Sequence, residues 1–349
     1  MASDREIFDL AGPLYLANNV NWSNGDHRRS VAACLVQGVY ILERDRQENR
    51  HGLESFAPPW WEFFGFKLHN LLIDNSDNCI FGAIYEHNPQ PDPNNRSITF
   101  AQTPRYVIAF RGTLTKGDAF VRDLQLDIDI VRNGLHRSSR FETAIQAVRN
   151  TVANFGKQNV WLTGHSLGAA MALLAGKTMA KTNNSLEAFL FNPPFFSAPI
   201  ELIKDKKVKQ GIRIASSFLA AGFAVALKNR RDKRLEGDSF AAFSDWVPSL
   251  FVHPRDHICS EYIGYFEHRK KMEEIGAGAI ERLATQNSLG GLFMSAIGKQ
   301  SSEEDPLHLI PSANLTVNLA QANDIKQAHG IHQWWQSDLQ SHSEVHLYS

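Results

Sequence analysis

The stretch NVWLTGHSLGAA occupies residues 159–170, and it decides the predicted fold. It begins with residues typical of a buried strand and ends in small residues that suit a closely packed helix. Between them, GHSLG at residues 164–168 fits the pattern G-x-S-x-G, in which a serine is carried on a sharp turn from strand to helix. Large side chains two positions before and after that serine would collide with the strand and the helix. The pattern therefore predicts that Ser166 is a nucleophile, with an ordinary structural turn as the alternative.

Segments on both sides of this stretch alternate between strand and helix patterns. Such alternation predicts βαβ units and a mostly parallel central sheet with helices on both faces, which is an α/β fold. The predicted helices are 28–45, 58–73, 138–156 and 167–181, and the predicted strands are 78–89, 105–113, 159–164, 186–194 and 249–256. The polar C-terminal tail, which holds His342 and His346, is predicted to be loose.

Composition limits the classes of function. The chain has 349 residues, of which 43% are hydrophobic and 21% charged, so we expect one globular domain over 1–349, with a core at roughly 75–335 and a long insertion at roughly 195–247. Lys and Arg number 36 against 37 Asp and Glu, so no overall charge attracts nucleic acid, and we expect none as a partner. Whether the protein touches a membrane or lipid surface, and its oligomeric state, stay open.

Three cysteines in no paired motif predict neither a disulfide scaffold nor a metal site. The N-terminus lacks the apolar segment of a secretory signal, so the expected location is cytoplasmic. The longest apolar stretch, residues 211–227, contains an arginine and is too short for a membrane-spanning helix, which needs about 20 apolar residues. It is predicted to be a buried helix, or a segment that lines or covers an acyl pocket.

Two motifs together resemble a known family. GHSLGAAMALLAG at 164–176 and YVIAFRGT at 106–113 are similar to the class 3 lipases, the fungal-lipase-like branch of the α/β-hydrolases. The stretches LFNPPFF, HPRDHICSEYIGYF and AHGIHQWW resemble a plant group within that family, whose members often carry the label "GDSL esterase/lipase". The resemblance covers roughly residues 100–335 and implies an α/β-hydrolase fold with long insertions.

The nucleophile of such enzymes needs a base and a carboxylate, in the chain order Ser, Asp or Glu, His. Asp256 follows an apolar strand and matches the family's RD-x-I pattern, whereas Asp245, before that strand, is the weaker candidate. His332 and His329 both lie beside aromatic residues. Because the family's base is usually followed two or three residues later by an aromatic, the resemblance favours His332, with His329 as the alternative.

Hydrolysis also needs donors to the oxyanion of the tetrahedral intermediate. The backbone N–H of Leu167, directly after the nucleophile, is one expected donor. The resemblance implies Thr113 of the FRGT stretch as the second, through its N–H and its hydroxyl. Arg111 is predicted to be structural, and His165 is predicted to pack against its neighbours rather than act as the base.

Together these features predict a carboxylic ester hydrolase, lipase-like, that works through an acyl-enzyme and needs no cofactor or metal. The expected substrate is an acyl ester or lipid. Two alternatives remain at this point: an acyltransferase that uses the same acyl-enzyme, and a non-catalytic lipase-like protein that acts in signalling through partner binding.

Overall fold

A computed structural model describes residues 6–16, 20–88, 103–114, 138–195, 241–275 and 308–348. Most of the predicted insertion at 195–247, including the apolar stretch 211–227, lies outside these residues. The helices are α1 (Phe8–Ala11), α2 (Gly25–Gln47), α3 (Pro59–Glu62), α4 (Ser139–Phe155), α5 (Leu167–Ala180), α6 (Glu261–Glu274) and α7 (Ile325–His329). Short 3-10 helices are Leu14–Leu16, Gly52–Glu54, Lys157–Asn159, Ala241–Phe243 and Ile331–Trp335. None of the described helices is long and apolar enough to cross a membrane.

The strands form one sheet in which they lie side by side in chain order. Strands β3 to β7 are parallel to one another, and β1, β2 and β8 add antiparallel edges. The predicted mostly parallel sheet is therefore confirmed. The strands are β1 (Phe66–Ile73), β2 (Ile80–His87), β3 (Tyr106–Phe110), β4 (Val160–His165), β5 (Glu187–Phe191), β6 (Ser249–Val252), β7 (Ala313–Asn318) and β8 (Ser341–His346).

Helices cover both faces of the sheet, so each central strand is buried on both sides. In β3, Ile108 and Phe110 belong to the hydrophobic cluster that includes α4 and α5, whereas Val107 and Ala109 belong to the cluster that includes α2. Successive side chains of a strand point to opposite faces. This double burial explains why β3 is a continuous apolar run in the sequence.

The prediction of one helix over 58–73 was wrong. The helix ends at Glu62, Gly65 takes a left-handed φ of 74°, and the chain then enters β1, which pairs with β2. The prolines and tryptophans that suggest a helix belong to the short helix α3, while the hydrogen bonds available from β2 determine the second half. The sheet thus begins before the predicted core at 75–335.

The prediction of a loose C-terminal tail was also wrong. Residues 341–346 form β8, which pairs antiparallel with β7. The hydroxyls of Thr316 and Ser343 lie 2.9 Å apart across this pair. As an edge strand, β8 has a polar sequence because most of its side chains face solvent, and polar edges discourage pairing with other chains.

Candidate active site

Ser166 is the residue between β4 and α5, and its side chain is almost fully buried. Its φ of 57° and ψ of −123° are strained for a residue with a side chain. A Cβ at Gly164 would lie 2.3 Å from the carbonyl oxygen of Gly168, and one at Gly168 would lie 2.3 Å from that of Phe110. Both positions therefore require glycine, and the structure has the sharp strand-to-helix turn that the sequence predicts.

The carboxyl ends of the parallel strands bring the other site residues to the same edge of the sheet. Asp256 follows β6, and His329 ends the helix α7 that follows β7. The Nδ1 atom of His329 lies 2.7 Å from Oδ2 of Asp256, and both side chains are buried. Open α/β sheets usually place their sites at this edge.

The structure thus pairs Asp256 with His329, the alternative from the sequence, and not with His332, the first choice. Between the two histidines, Gly330 is extended, with φ −63° and ψ 133°, and it separates α7 from the 3-10 helix that holds His332. The ring of His332 folds back towards Gly330, where an added Cβ would lie 2.4 Å from its Cε1. Trp334, two residues after His332, donates its indole N–H to Oδ1 of Asn192.

Asp256 is surrounded by hydrogen-bond donors. Besides His329, its Oδ2 accepts from Nδ2 of Asn192 at 2.7 Å and from Sγ of Cys259 at 3.1 Å, and its Oδ1 accepts from the N–H of Ile258 at 3.1 Å. Burial by itself would raise the pKa of Asp256. The charge interaction with His329 and the hydrogen bonds from these donors have a larger opposite effect, so the pKa of Asp256 is lowered. The carboxyl is thereby held ionised in a buried position.

The sequence did not identify Asn192 or Cys259. For Asn192 a signal existed, since a polar residue directly after an apolar strand lies at the carboxyl edge of the sheet. For Cys259 no pattern distinguished it from a buried core cysteine. Burial raises the pKa of the Cys259 thiol, which therefore stays protonated and donates to Asp256.

A second hydrogen-bond chain links the FRGT stretch to His329. The N–H of Gly112 donates to Oη of Tyr40 at 2.7 Å, and Tyr40 Oη lies 2.8 Å from Nδ1 of His165. The Nε2 of His165 lies 2.7 Å from the carbonyl oxygen of His329. Because a carbonyl oxygen only accepts, Nε2 of His165 carries the hydrogen and Nδ1 accepts from Tyr40.

Burial, reinforced by the nearby His329 imidazole, lowers the pKa of His165 to about 3. His165 is therefore neutral at physiological pH, with one tautomer selected by its two partners. Its side chain supports two segments of the site, which agrees with the prediction that it packs and does not act as the base.

The segments that carry the predicted oxyanion donors lie next to Ser166. An added Cβ at Gly112 would be 2.8 Å from Cβ of Ser166, so the FRGT segment passes directly against the serine and continues into Thr113. Leu167 begins α5, and the first N–H groups of a helix have no carbonyl partner within it. Arg111 is structural, as predicted, because its guanidinium donates to the carbonyl oxygens of Ile80 and Gly112.

A cleft of about 1350 Å³ opens beside His165 and the end of the FRGT segment. Thr113 and His329 line it, together with apolar residues of the N-terminal segment. Among the latter, Leu10, Leu14 and Tyr15 are 69%, 49% and 47% exposed. The volume exceeds the roughly 300–1000 Å³ of most ligand pockets, so it suffices for a large substrate.

One group of side chains has the composition of a metal site. Ligand atoms of Asp74, Asp77 and Cys79 lie within 4.8 Å of one another. Both carboxylates, however, form ion pairs with the guanidinium of Arg140, which offsets part of their charge. We therefore interpret this group of side chains as an ion-pair cluster at the β1–β2 turn.

Comparison with known proteins identifies the family of this chain. The model of the family described as lipase (class 3) matches residues 107–201, which include the FRGT stretch and the Ser166 turn. A protein of Arabidopsis thaliana named a GDSL esterase/lipase is 54% identical to this chain over 356 aligned positions. The alignment covers 100% of this chain and 99% of the Arabidopsis protein. The chain belongs to the class 3 lipase family. Class 3 lipases have the α/β-hydrolase fold, and the sheet and helices described above are consistent with it.

Membership of the class 3 lipases supports a lipase-like esterase function at the level of the family. It also agrees with ester or lipid substrates. The cytoplasmic location and contact with a lipid surface stay predictions.

Proposed function

We propose that this class 3 lipase is a serine acyl hydrolase in which Ser166, His329 and Asp256 form the catalytic triad. The observation that carries the proposal is the 2.7 Å hydrogen bond between buried His329 and Asp256, at the edge of the sheet where the Ser166 turn also lies. The proposal uses His329 in place of His332, for the geometric reason given above.

The contact between Asp256 and His329 supports one direction of proton transfer. Asp256 accepts the hydrogen on Nδ1 of His329, so Nε2 is the nitrogen that takes the proton of Ser166 as Oγ attacks the ester carbonyl. The protonated imidazole then gives this proton to the departing alcohol, which leaves an acyl-enzyme on Ser166. Water repeats the sequence with His329 as base, which releases the acid and restores the serine.

The negative charge that develops on the carbonyl oxygen needs fixed donors. The N–H of Leu167 and the N–H and hydroxyl of Thr113 are the proposed oxyanion donors. Their support is the start of α5 at Leu167 and the passage of Gly112 against Ser166. One such donor is worth about 3 kcal/mol in transition-state stabilisation.

The cleft supports an ester with a long apolar acyl group. Exposed apolar side chains cost free energy in water, and Leu10, Leu14 and Tyr15 line the same cleft as Thr113 and His329. Each buried CH₂ of an acyl chain contributes roughly 0.8 kcal/mol. A lipid ester therefore fits this site better than an ester of a small polar acid.

The test of the triad is labelling by a fluorophosphonate probe together with ester hydrolysis. Wild-type protein is expected to react, and Ser166→Ala is expected to lose both signals. His329→Ala is expected to lose labelling and hydrolysis, and the matched His332→Ala is expected to retain both. An unlabelled wild-type protein would refute the hydrolase, and the reverse histidine pattern would refute His329.

The test of the acyl group compares hydrolysis of long-chain and short-chain nitrophenyl esters. In Leu14→Asp, KM for the long chain is expected to rise about tenfold, while the short chain is unchanged, because only the long chain reaches this wall. Leu53→Asp is the matched control, since Leu53 is fully exposed and does not line the cleft. Equal effects on both chain lengths would contradict an acyl site here.

A further inference from the structure

Asn192 lies directly after β5, at the centre of the carboxyl edge of the sheet. Its side chain is completely buried, and its φ of 48° lies in the left-handed region. Asparagine and glycine are the residues that adopt this conformation most readily. The backbone alone therefore admits glycine at this position, so the amide has to be explained by its contacts.

The contacts of the amide define its orientation. Oδ1 accepts from the indole Nε1 of Trp334 at 2.7 Å. Nδ2 donates to Oδ2 of Asp256 at 2.7 Å and to the carbonyl oxygen of Ala328 at 3.2 Å. A rotated amide would place its oxygen against two acceptors and its NH₂ against a donor, so only the observed orientation satisfies all three partners.

These three partners belong to different parts of the site. Asp256 is the proposed carboxylate, Ala328 directly precedes the proposed base His329, and Trp334 lies in the 3-10 helix that follows. One buried side chain thus ties the loop after β6 to the segment that carries the histidine. The Nδ1 of His329 and the Nδ2 of Asn192 also approach the same oxygen of Asp256, each at 2.7 Å.

We infer that Asn192 is a positioning residue of the triad, which holds the Asp256 carboxylate and the His329 backbone in the geometry for proton transfer. This inference rests on the proposed function. Asn192 acts through Asp256 and His329, and it does not line the cleft beside them. Its removal is therefore expected to lower kcat and to leave KM nearly unchanged.

Two substitutions separate the donor from mere packing. Asn192→Gly keeps the backbone conformation and removes the amide, whereas Asn192→Asp keeps the shape and replaces the donor by a second carboxylate beside Asp256. A donor role predicts that kcat falls about 10-fold in the glycine variant and about 100-fold in the aspartate variant. If Asn192 only fills space, the isosteric aspartate variant would be close to wild type, and the inference would be overturned.

The backbone control is Asn183→Gly. Asn183 also has a left-handed φ, of 59°, but it is exposed and lies beyond the end of α5. The kcat of the Asn183→Gly variant is expected to equal that of the wild type. Trp334→Phe serves as a second variant where the substitutions at 192 prevent folding, because it removes the donor that orients the amide and keeps an aromatic ring in the core. We expect a fall in kcat of about 3- to 10-fold, and no change would overturn the inference.

A readout independent of activity keeps the two proposals distinguishable. The hydrogen on Nδ1 of His329 is expected to give a downfield proton resonance in the NMR spectrum, which disappears in His329→Ala. This resonance should shift in Asn192→Asp and stay in place in Asn183→Gly. If the wild-type protein is not labelled at Ser166, the proposed function fails while the resonance still tests the positioning of Asp256. If labelling is normal and neither kcat nor the resonance responds to Asn192→Asp, only the inference about Asn192 fails.

Discussion

The stability of the protein should depend on pH through His165, and His165→Gln tests this. Protonating the ring would bury a charge and would set a second N–H against Tyr40, whose hydroxyl now donates to Nδ1. Burial and the neighbouring His329 lower the pKa of His165 from 6.5 to about 3. The unfolded chain therefore binds this proton more readily than the folded one, so stability is lost as the pH falls below 6.5.

The magnitude follows from the linkage between protonation and folding. Each pH unit below 6.5 costs the folded state about 1.4 kcal/mol from this group, down to about pH 3. Between pH 6.5 and about pH 5 the loss is about 2 kcal/mol, a large part of the roughly 5–15 kcal/mol that stabilises a domain. The glutamine side chain does not titrate, and its NH₂ can replace Nε2–H at the His329 carbonyl.

The assay is urea unfolding of wild type and His165→Gln at about pH 7.5 and about pH 5. We expect the wild type to lose about 2 kcal/mol more than the variant between these two conditions. Other histidines, such as the half-buried His87, whose pKa burial lowers to about 4, titrate in both proteins and cancel in the comparison. Equal losses in the two proteins would refute the argument that His165 is held neutral by its surroundings.

Two further predictions concern the segments around Ser166. In Tyr40→Phe the N–H of Gly112 loses its acceptor, so we expect unfolding free energy to fall by about 1–3 kcal/mol and kcat to fall about tenfold, measured by urea unfolding and ester hydrolysis. An unchanged kcat would show that the link from Tyr40 to the FRGT segment does not matter for turnover. Gly168→Ala should lower stability by about 3 kcal/mol, because its Cβ would lie 2.3 Å from a backbone oxygen of β3. Gly25→Ala is its control, with nothing within 4 Å of the added Cβ and an expected change within about 0.5 kcal/mol, and similar effects in both variants would contradict the steric argument.

Local patterns were sufficient where one local cause determines the structure. The helix over 138–156 was predicted from its periodicity and its serine cap, and the structure has α4 with Ser138 accepting from the N–H of Phe141. The helix over 28–45 is likewise present as α2. Local patterns failed for β1 and β8, because the sequence of an edge strand is only partly constrained by burial and its partner lies elsewhere in the chain.

The sequence by itself determined the strand, turn and helix around Ser166 and the strands β2 to β6, whereas β7 was not predicted. It could do so because steric demands at Gly164 and Gly168 and the alternation of buried residues act over a few positions. It also placed Asp256 after a buried strand, as the structure has it.

Only the tertiary structure decided which histidine meets Asp256. His329 and His332 are three residues apart and have similar neighbours, but the aspartate lies 73 positions before His329, so local sequence does not show which ring it meets. Asn192 and Tyr40 were likewise recognised as site residues only from the structure. Asn192 lies 64 positions from its partner Asp256, and Tyr40 lies 125 positions from its partner His165. Such contacts depend on the order of the strands and on the path of the loops at the sheet edge, and these are properties of the whole folded chain.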